Sequence, residues 1–286
     1  MERHRACPRP PKGNALPTLY LDLLKRALLN ELGLENELRI GYLQSCIAAG
    51  TEPDPIHLHD IRFADADGFA ALMKSRLAGR FPPPGTAPGY GHTMIGRGRL
   101  DQLHDCLDSV VEDGIPGDLL EAGVWRGGAG IFMRGYLKAH HIPDRVVWLA
   151  DSFRGLPPAA SEVHGVDPVL NRHLAVSAAT VRDAFERYDL WDDRVRLVEG
   201  WFNDTLPTLP AQRLAVLRLD GDLFGSTITG LAALYPRVAP GGFVIIDDYY
   251  AVGGCRAAVD AFRARAGITA PMTPIDWTGM VWRKPA

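Results

Sequence analysis

Apolar residues recur along this chain with two different periods. Short runs of strand length lie at 117–124, 144–153, 194–200, 214–222 and 241–249. Between them, 129–140, 180–190, 226–240 and 255–267 space their apolar residues three and four apart. Runs of the first kind read as buried strands and those of the second as amphipathic helices. Their alternation predicts an α/β fold, a mostly parallel sheet covered on both faces. Two closing runs, 273–275 and 279–283, have no helix between them and predict a terminal antiparallel hairpin.

The first third of the chain patterns differently. Residues 1–16 hold Pro8, Pro10 and Pro11 and read as a flexible arm. Thr18 is placed to cap a helix over 19–32, where Leu21, Leu24, Leu28 and Leu32 share one face. That face can pack on the chain's own core or on a partner subunit. The second option makes the chain a homodimer or higher homo-oligomer through this helix. Residues 51–65 read as a loop, and Asp65 or Asp67 opens a helix over 69–77. A further loop at 81–92 leads to a helix that carries Leu100, Leu103, Leu107 and Val110 on one face. The expected division is therefore an arm (1–16), a helical extension and covering segment (17–95) and a Rossmann-like domain (96–286).

Composition narrows the function classes. The 286 residues are 47% hydrophobic and 23% charged, with a formal net charge of −3. Such a balance offers no broad basic surface for nucleic acid. No apolar run approaches the ~18 residues of a membrane span. The four cysteines, Cys7, Cys46, Cys106 and Cys255, form no C-x-x-C pair. They read as reduced thiols, and the chain as a cytoplasmic protein.

In such sheets ligands bind beyond the carboxyl ends of the strands. After the first strand, Gly123 allows close backbone approach, and Gly127 and Gly128 lead into a helix N-terminus, with the acidic Glu121 just ahead. The glycines alone fit a tight strand-to-helix turn equally well. After the second strand come Asp151 and Ser152; a carboxylate there can accept from both hydroxyls of a ribose, or cap a loop. Gly200 and Trp201 follow the third strand, where an aromatic ring can flank an adenine or fill a hydrophobic turn. Thr93, Met94 and Ile95 precede the helix before the first strand and can close over a ligand.

The last two long strands end in acid. Asp220 and Asp222 follow one, and Asp247 and Asp248 follow the next. Strand ends ~4.8 Å apart bring such groups together. Two like charges ~4 Å apart at an effective dielectric of ~20 repel by about 4 kcal/mol. The cluster therefore needs protons or a cation, and hard oxygen ligands suit Mg²⁺, Ca²⁺ or Mn²⁺. Alternatively, one or more of these carboxylates face solvent as caps. A second acidic pattern, His57, His59 and Asp60, lies in the stretch read as loop.

The stretches EAGVWRGGAGIFMRG, ADSFRGLPP, EGWFNDTLP, LRLDGDLFGSTITGLAALYPRVAPGGFVIIDDY and DWTGMVWRK occur in this order from residue 121 onward. Together they resemble the macrocin O-methyltransferase family, whose members methylate sugar hydroxyls of antibiotics with S-adenosylmethionine and Mg²⁺. The resemblance implies a class I methyltransferase sheet. It implies cofactor contacts from Thr93, Met94, Ile95, Glu121, Gly123, Asp151, Ser152, Gly200, Trp201 and Asp220. It makes Asp220, Asp247 and Asp248 metal ligands, Asp222 the general base, and about 154–177 a lid that excludes water. The acceptor it implies is a glycosylated small molecule. A catechol-like or phenolic hydroxyl would suit the same apparatus. A nicotinamide-dependent oxidoreductase or a silent cofactor-binding scaffold are the readings from other classes.

Overall fold

The computed structural model describes residues 15–80, 87–157 and 168–285. Seven strands form one sheet: β1 (Asp118–Ala122), β2 (Val147–Asp151), β3 (Val195–Glu199), β4 (Leu214–Leu219), β5 (Val238–Ile246), β6 (Thr273–Pro274) and β7 (Met280–Arg283). The order across the sheet is β3-β2-β1-β4-β5-β7-β6. Strands β1 to β5 run parallel, and β7 pairs antiparallel with both β5 and β6. The expected hairpin thus closes the sheet, with β7 inserted beside β5. Strand β4 lies at the centre and is buried along its whole length, because helices cover both of its faces. Successive strand residues serve opposite cores: Leu119 and Ile245 face one, Leu120, Val244 and Ile246 the other.

Helix α1 (Ala15–Leu28) begins before Thr18, so Thr18 lies within the helix and caps nothing. Leu21, Leu24 and Leu28 enter the larger core, which settles that this face packs on the chain itself. Gly135 permits the approach, since a Cβ there would stand 2.5 Å from Leu24 Cδ2. Lys25 is buried beside them, its Nζ donating to Asp101 at 2.6 Å and lying 3.0 Å from His104 Nδ1. Leu32 falls beyond the helix and is exposed.

The stretch 51–65, read as loop, is largely helical, and another helix precedes it. Helix α2 (Leu34–Ala49) ends on Gly50 in the left-handed conformation, and α3 (Pro55–His59) and α4 (Ile61–Ala64) follow. Asp54 caps α3 by accepting from Ile56 N–H at 2.9 Å, and Pro55 occupies the first helical position, where its missing N–H costs nothing. His57 stacks on Tyr42, with ring centroids 4.3 Å apart. Asp65 caps α5 (Ala66–Ala78), and α6 (Gly96–Glu112) buries Leu100, Leu103, Leu107 and Val110 as expected. Of the expected arm, residues 1–14 lie outside the described residues, as do 158–167 of the expected lid.

Because Leu28 is fully buried, Leu28→Ala should lower unfolding free energy by roughly 3 kcal/mol. Urea denaturation monitored by circular dichroism checks this. A shift of a few tenths would mean that α1 docks only loosely.

Candidate functional site

A cavity of about 1060 Å³ opens beyond the carboxyl ends of β1, β2, β4 and β5. Glycine shapes its glycine-loop end. Gly123 has φ +89, and a Cβ there would lie 1.7 Å from the carbonyl oxygen of Asp220. Three strand ends stay bonded at this point, Asp220 N–H after β4 donating to Ala122 of β1 at 2.8 Å and Gly123 N–H after β1 to Ala150 of β2 at 2.8 Å. Gly128 opens α7 (Gly128–Ala139) against the covering segment, where a Cβ would lie 2.4 Å from the carbonyl oxygen of His92.

Three non-glycine residues in the strand-end loops have positive φ: Trp125 (+46) after β1, Phe153 (+54) after β2 and Asp222 (+53) after β4. Such backbone costs on the order of 1–3 kcal/mol each and concentrates at functional sites. The two covering segments meet at the first of these. Trp125 donates from Nε1 to the carbonyl of His173, at the end of a helix over Pro168–Leu174, at 2.8 Å. Arg126 stacks on the Trp125 ring and donates to the carbonyls of Gly89 and Gly91 at 2.6 and 2.8 Å.

Most of the residues anticipated from sequence line this cavity. Thr93, Met94 and Ile95 form one wall, and Glu121, Gly123, Asp151 and Ser152 another. Trp201 faces in from the turn after β3, while Gly200 only provides the bend, at φ +142. Asp151 accepts from the N–H groups of Val124 (2.7 Å) and Phe153 (2.8 Å), which fixes its carboxylate between two loops. Burial raises its pKa, and the hydrogen bonds from Val124 and Phe153 pull it back.

The other end is acidic. One ligand oxygen from each of Asp220, Asp222 and Asp248 lies within 4.8 Å of the others. Among the described residues Asp248 Oδ2 is buried without a hydrogen-bond partner. Asp247 lines the same cavity but turns its two oxygens to guanidiniums, Oδ1 to Arg218 and Oδ2 to Arg99. The structure therefore groups Asp222 with Asp220 and Asp248, where the sequence grouped Asp247 with them. The electrostatics match this crowding. Burial, then the charges of Asp220, Asp247 and Asp151, push Asp222 up to about 7. Asp248 is raised well above the usual carboxylate range by burial and by Asp222, Asp220 and Asp247. Glu121 is pushed up to about 8, chiefly by burial, with Arg218 opposing. Such a site holds protons until a cation displaces them, and its hard oxygen donors fit Mg²⁺, Ca²⁺ or Mn²⁺.

Arg99, Arg218, His92 and Trp125 escaped the sequence reading. Only Arg218 carried a visible signal, a charge in the middle of an apolar central strand.

The family model for macrocin-O-methyltransferase matches residues 17–284. The chain belongs to that family and is an S-adenosylmethionine-dependent O-methyltransferase. It is 47% identical over 273 residues to a Streptomyces olivaceus protein, 8-demethyl-8-(2,3-dimethoxy-alpha-L-rhamnosyl)-tetracenomycin-C 4'-O-methyltransferase, covering 94% of this chain and 93% of that one. It is 48% identical over 259 residues to a demethyldecarbamoylnovobiocin O-methyltransferase from Streptomyces niveus, covering 89% of this chain and 96% of that one. Among solved structures, the O-methyltransferase NovP superposes with a TM-score of 0.76 at 38% identity, covering 94% of this chain and all of that one. Among the described residues, no helix is long and apolar enough to cross a membrane.

Gly123→Ala places a methyl group where the Asp220 carbonyl stands. It should cost about 2 kcal/mol or more in stability and weaken S-adenosylhomocysteine binding at least tenfold. Thermal unfolding and calorimetric titration read the two effects. Wild-type affinity would show that the loop yields.

Proposed function

We propose that this member of the macrocin-O-methyltransferase family methylates a hydroxyl of a glycosylated natural product, a deoxysugar of an antibiotic, with the help of a divalent cation. The observation that carries the reading is the oxygen cluster of Asp220, Asp222 and Asp248 in the same cavity as the glycine turn at Gly123. The printed names of the relatives favour a sugar over a phenol, since one is a 4'-O-methyltransferase of a rhamnosyl tetracenomycin and another a mycinamicin III 3''-O-methyltransferase.

Asp220 and Asp248 would supply ligand oxygens to Mg²⁺, with Ca²⁺ or Mn²⁺ as substitutes. Asp247 would complete the set, because each of its oxygens accepts one guanidinium bond and keeps a lone pair. When bound, the cation acidifies the acceptor hydroxyl and S-adenosylmethionine supplies the methyl group. Asp222 takes the hydroxyl proton. No guanidinium holds it among the described residues, which leaves its carboxylate open to accept the proton. Glu121, Gly123, Asp151, Ser152 and Trp201 would hold the cofactor, with Thr93, Met94 and Ile95 closing over it. The Trp125 and Arg126 contacts keep the covering segments down and water out.

Two copies of the chain would meet through α1. Its inner face is committed to the core, yet Leu16, Leu19, Tyr20 and Leu23 form a second, exposed apolar face at helical spacing. The free thiols Cys46, Cys106 and Cys255 suit the reducing cytoplasm.

Asp222→Asn should lower turnover by roughly 100-fold or more while leaving Mn²⁺ affinity within a factor of about three, and EDTA should silence the wild type until Mg²⁺ is restored. A tenfold loss of Mn²⁺ affinity in this variant would make Asp222 a ligand instead. Replacing Leu19 and Leu23 together by Glu should yield monomers in analytical ultracentrifugation. A wild type that sediments as a monomer removes the dimer reading.

A further inference from the structure

Arg218 is only 1% exposed, one residue from the carboxyl end of the central strand β4 and flanked by Leu217 and Leu219. A lone guanidinium there would be prohibitive, so its partners are part of the design. They come from three adjacent strand ends. Nη1 donates to Glu121 Oε1 at 2.6 Å, across the register pair of β1 and β4, and to Asp220 Oδ2 at 2.9 Å. Nη2 donates to Asp247 Oδ1, at the end of β5. Asp220 is two residues along the strand and so shares the face of Arg218. One planar fork therefore touches the glycine-loop end of the cavity, at Glu121, and the acidic end, at Asp220 and Asp247. Among the described residues Glu121 Oε2 is buried with no close hydrogen-bond partner, and the Gly130 N–H is a backbone donor acting on the carboxylate.

We propose that Arg218 is a positioning residue that couples the two halves of the site, so that filling the metal half changes the affinity of the cofactor half. A cation drawn to Asp220 and Asp247 would share the oxygens that the guanidinium binds and so change its hold on them. Glu121 is then the partner left to the arginine, and the orientation of Glu121 sets the cofactor end. The coupling rests on the proposed metal and cofactor sites, and it belongs to the geometry of the fork as much as to its charge. Lysine keeps the charge but has no fork, and it cannot reach three carboxylates from one strand position.

The test is a thermodynamic cycle read by calorimetry, with S-adenosylhomocysteine titrated with and without saturating Mn²⁺, and Mn²⁺ with and without the nucleoside. In the wild type each ligand should change the other's Kd by about fivefold or more, and by the same factor in both directions. In Arg218→Lys the factor should fall below about two while circular dichroism still shows the native fold. A purely structural role would lower the melting temperature and leave the factor unchanged. Should Arg218→Lys fail to fold, Glu121→Gln removes the cofactor-side arm alone and should abolish the factor equally. A wild-type factor of one, or full coupling in the folded variants, overturns the inference. A wild type that binds the nucleoside but no Mn²⁺ overturns the metal reading, and this inference with it.

Discussion

Carboxylates from neighbouring strand ends have to share one buried rim, and everything else in the site follows from how that crowding is relieved. Parallel strands ~4.8 Å apart bring Glu121, Asp220 and Asp247 within reach of a single side chain. Arg218 supplies the charge from within the sheet, and Arg99 adds a second from α6. Two guanidiniums against Glu121, Asp220, Asp222, Asp247 and Asp248 do not neutralise the rim. Asp222 and Asp248 are left outside the arginine network, and both rise in pKa as burial and their neighbours dictate. Protons or a cation are thus left to relieve the crowding at Asp222 and Asp248.

The same interactions tie the covering segments to the sheet. Arg99 donates to Asp247, to Asp276 at 3.1 Å and to the carbonyl of Gly79 at 2.9 Å. Trp277 Nε1 donates to the Ala78 carbonyl at 3.0 Å, and Arg80 lies over its ring. The end of α5 is therefore pinned to the closing hairpin across the acidic rim. At the opposite end, Trp125 and Arg126 bind both covering segments from the loop after β1. Helix α1 and Ile95 share the main core, so both ends of the N-terminal region are packed on the sheet domain.

The sheet was legible because strands buried on both faces carry apolar runs that chance rarely produces. Strand ends were legible too, since glycine and aspartate mark where the apolar run stops. Helices α2 to α4 were not. Within α2 only Leu34 and Cys46 are buried, so the apolar stripe that reveals a helix is nearly absent. The Asp54-Pro55 pair did announce α3, but its proline read as a loop signal. The acidic rim was legible as a cluster and illegible as a geometry. Sequence gives the ends of β4 and β5 but not which carboxylates face an arginine. Arg99 is about 150 residues from its partner Asp247 along the chain, a contact no local pattern encodes.

The different roles proposed for Asp222 and Asp247 rest on a difference in anchoring. Asp247 accepts from two guanidiniums, so its position is fixed and its negative charge is already shared. Asp222 sits on a left-handed turn, a conformation that aspartate tolerates better than most residues, and no arginine holds it among the described residues. A group that must gain and release a proton each turnover works best without a permanent cationic partner, whereas one that must keep a metal ion in place benefits from rigid support. A left-handed turn at Asp222 and charge pairing at Asp247 would thus give two aspartates on adjacent strand ends different chemistry, although their side chains are identical.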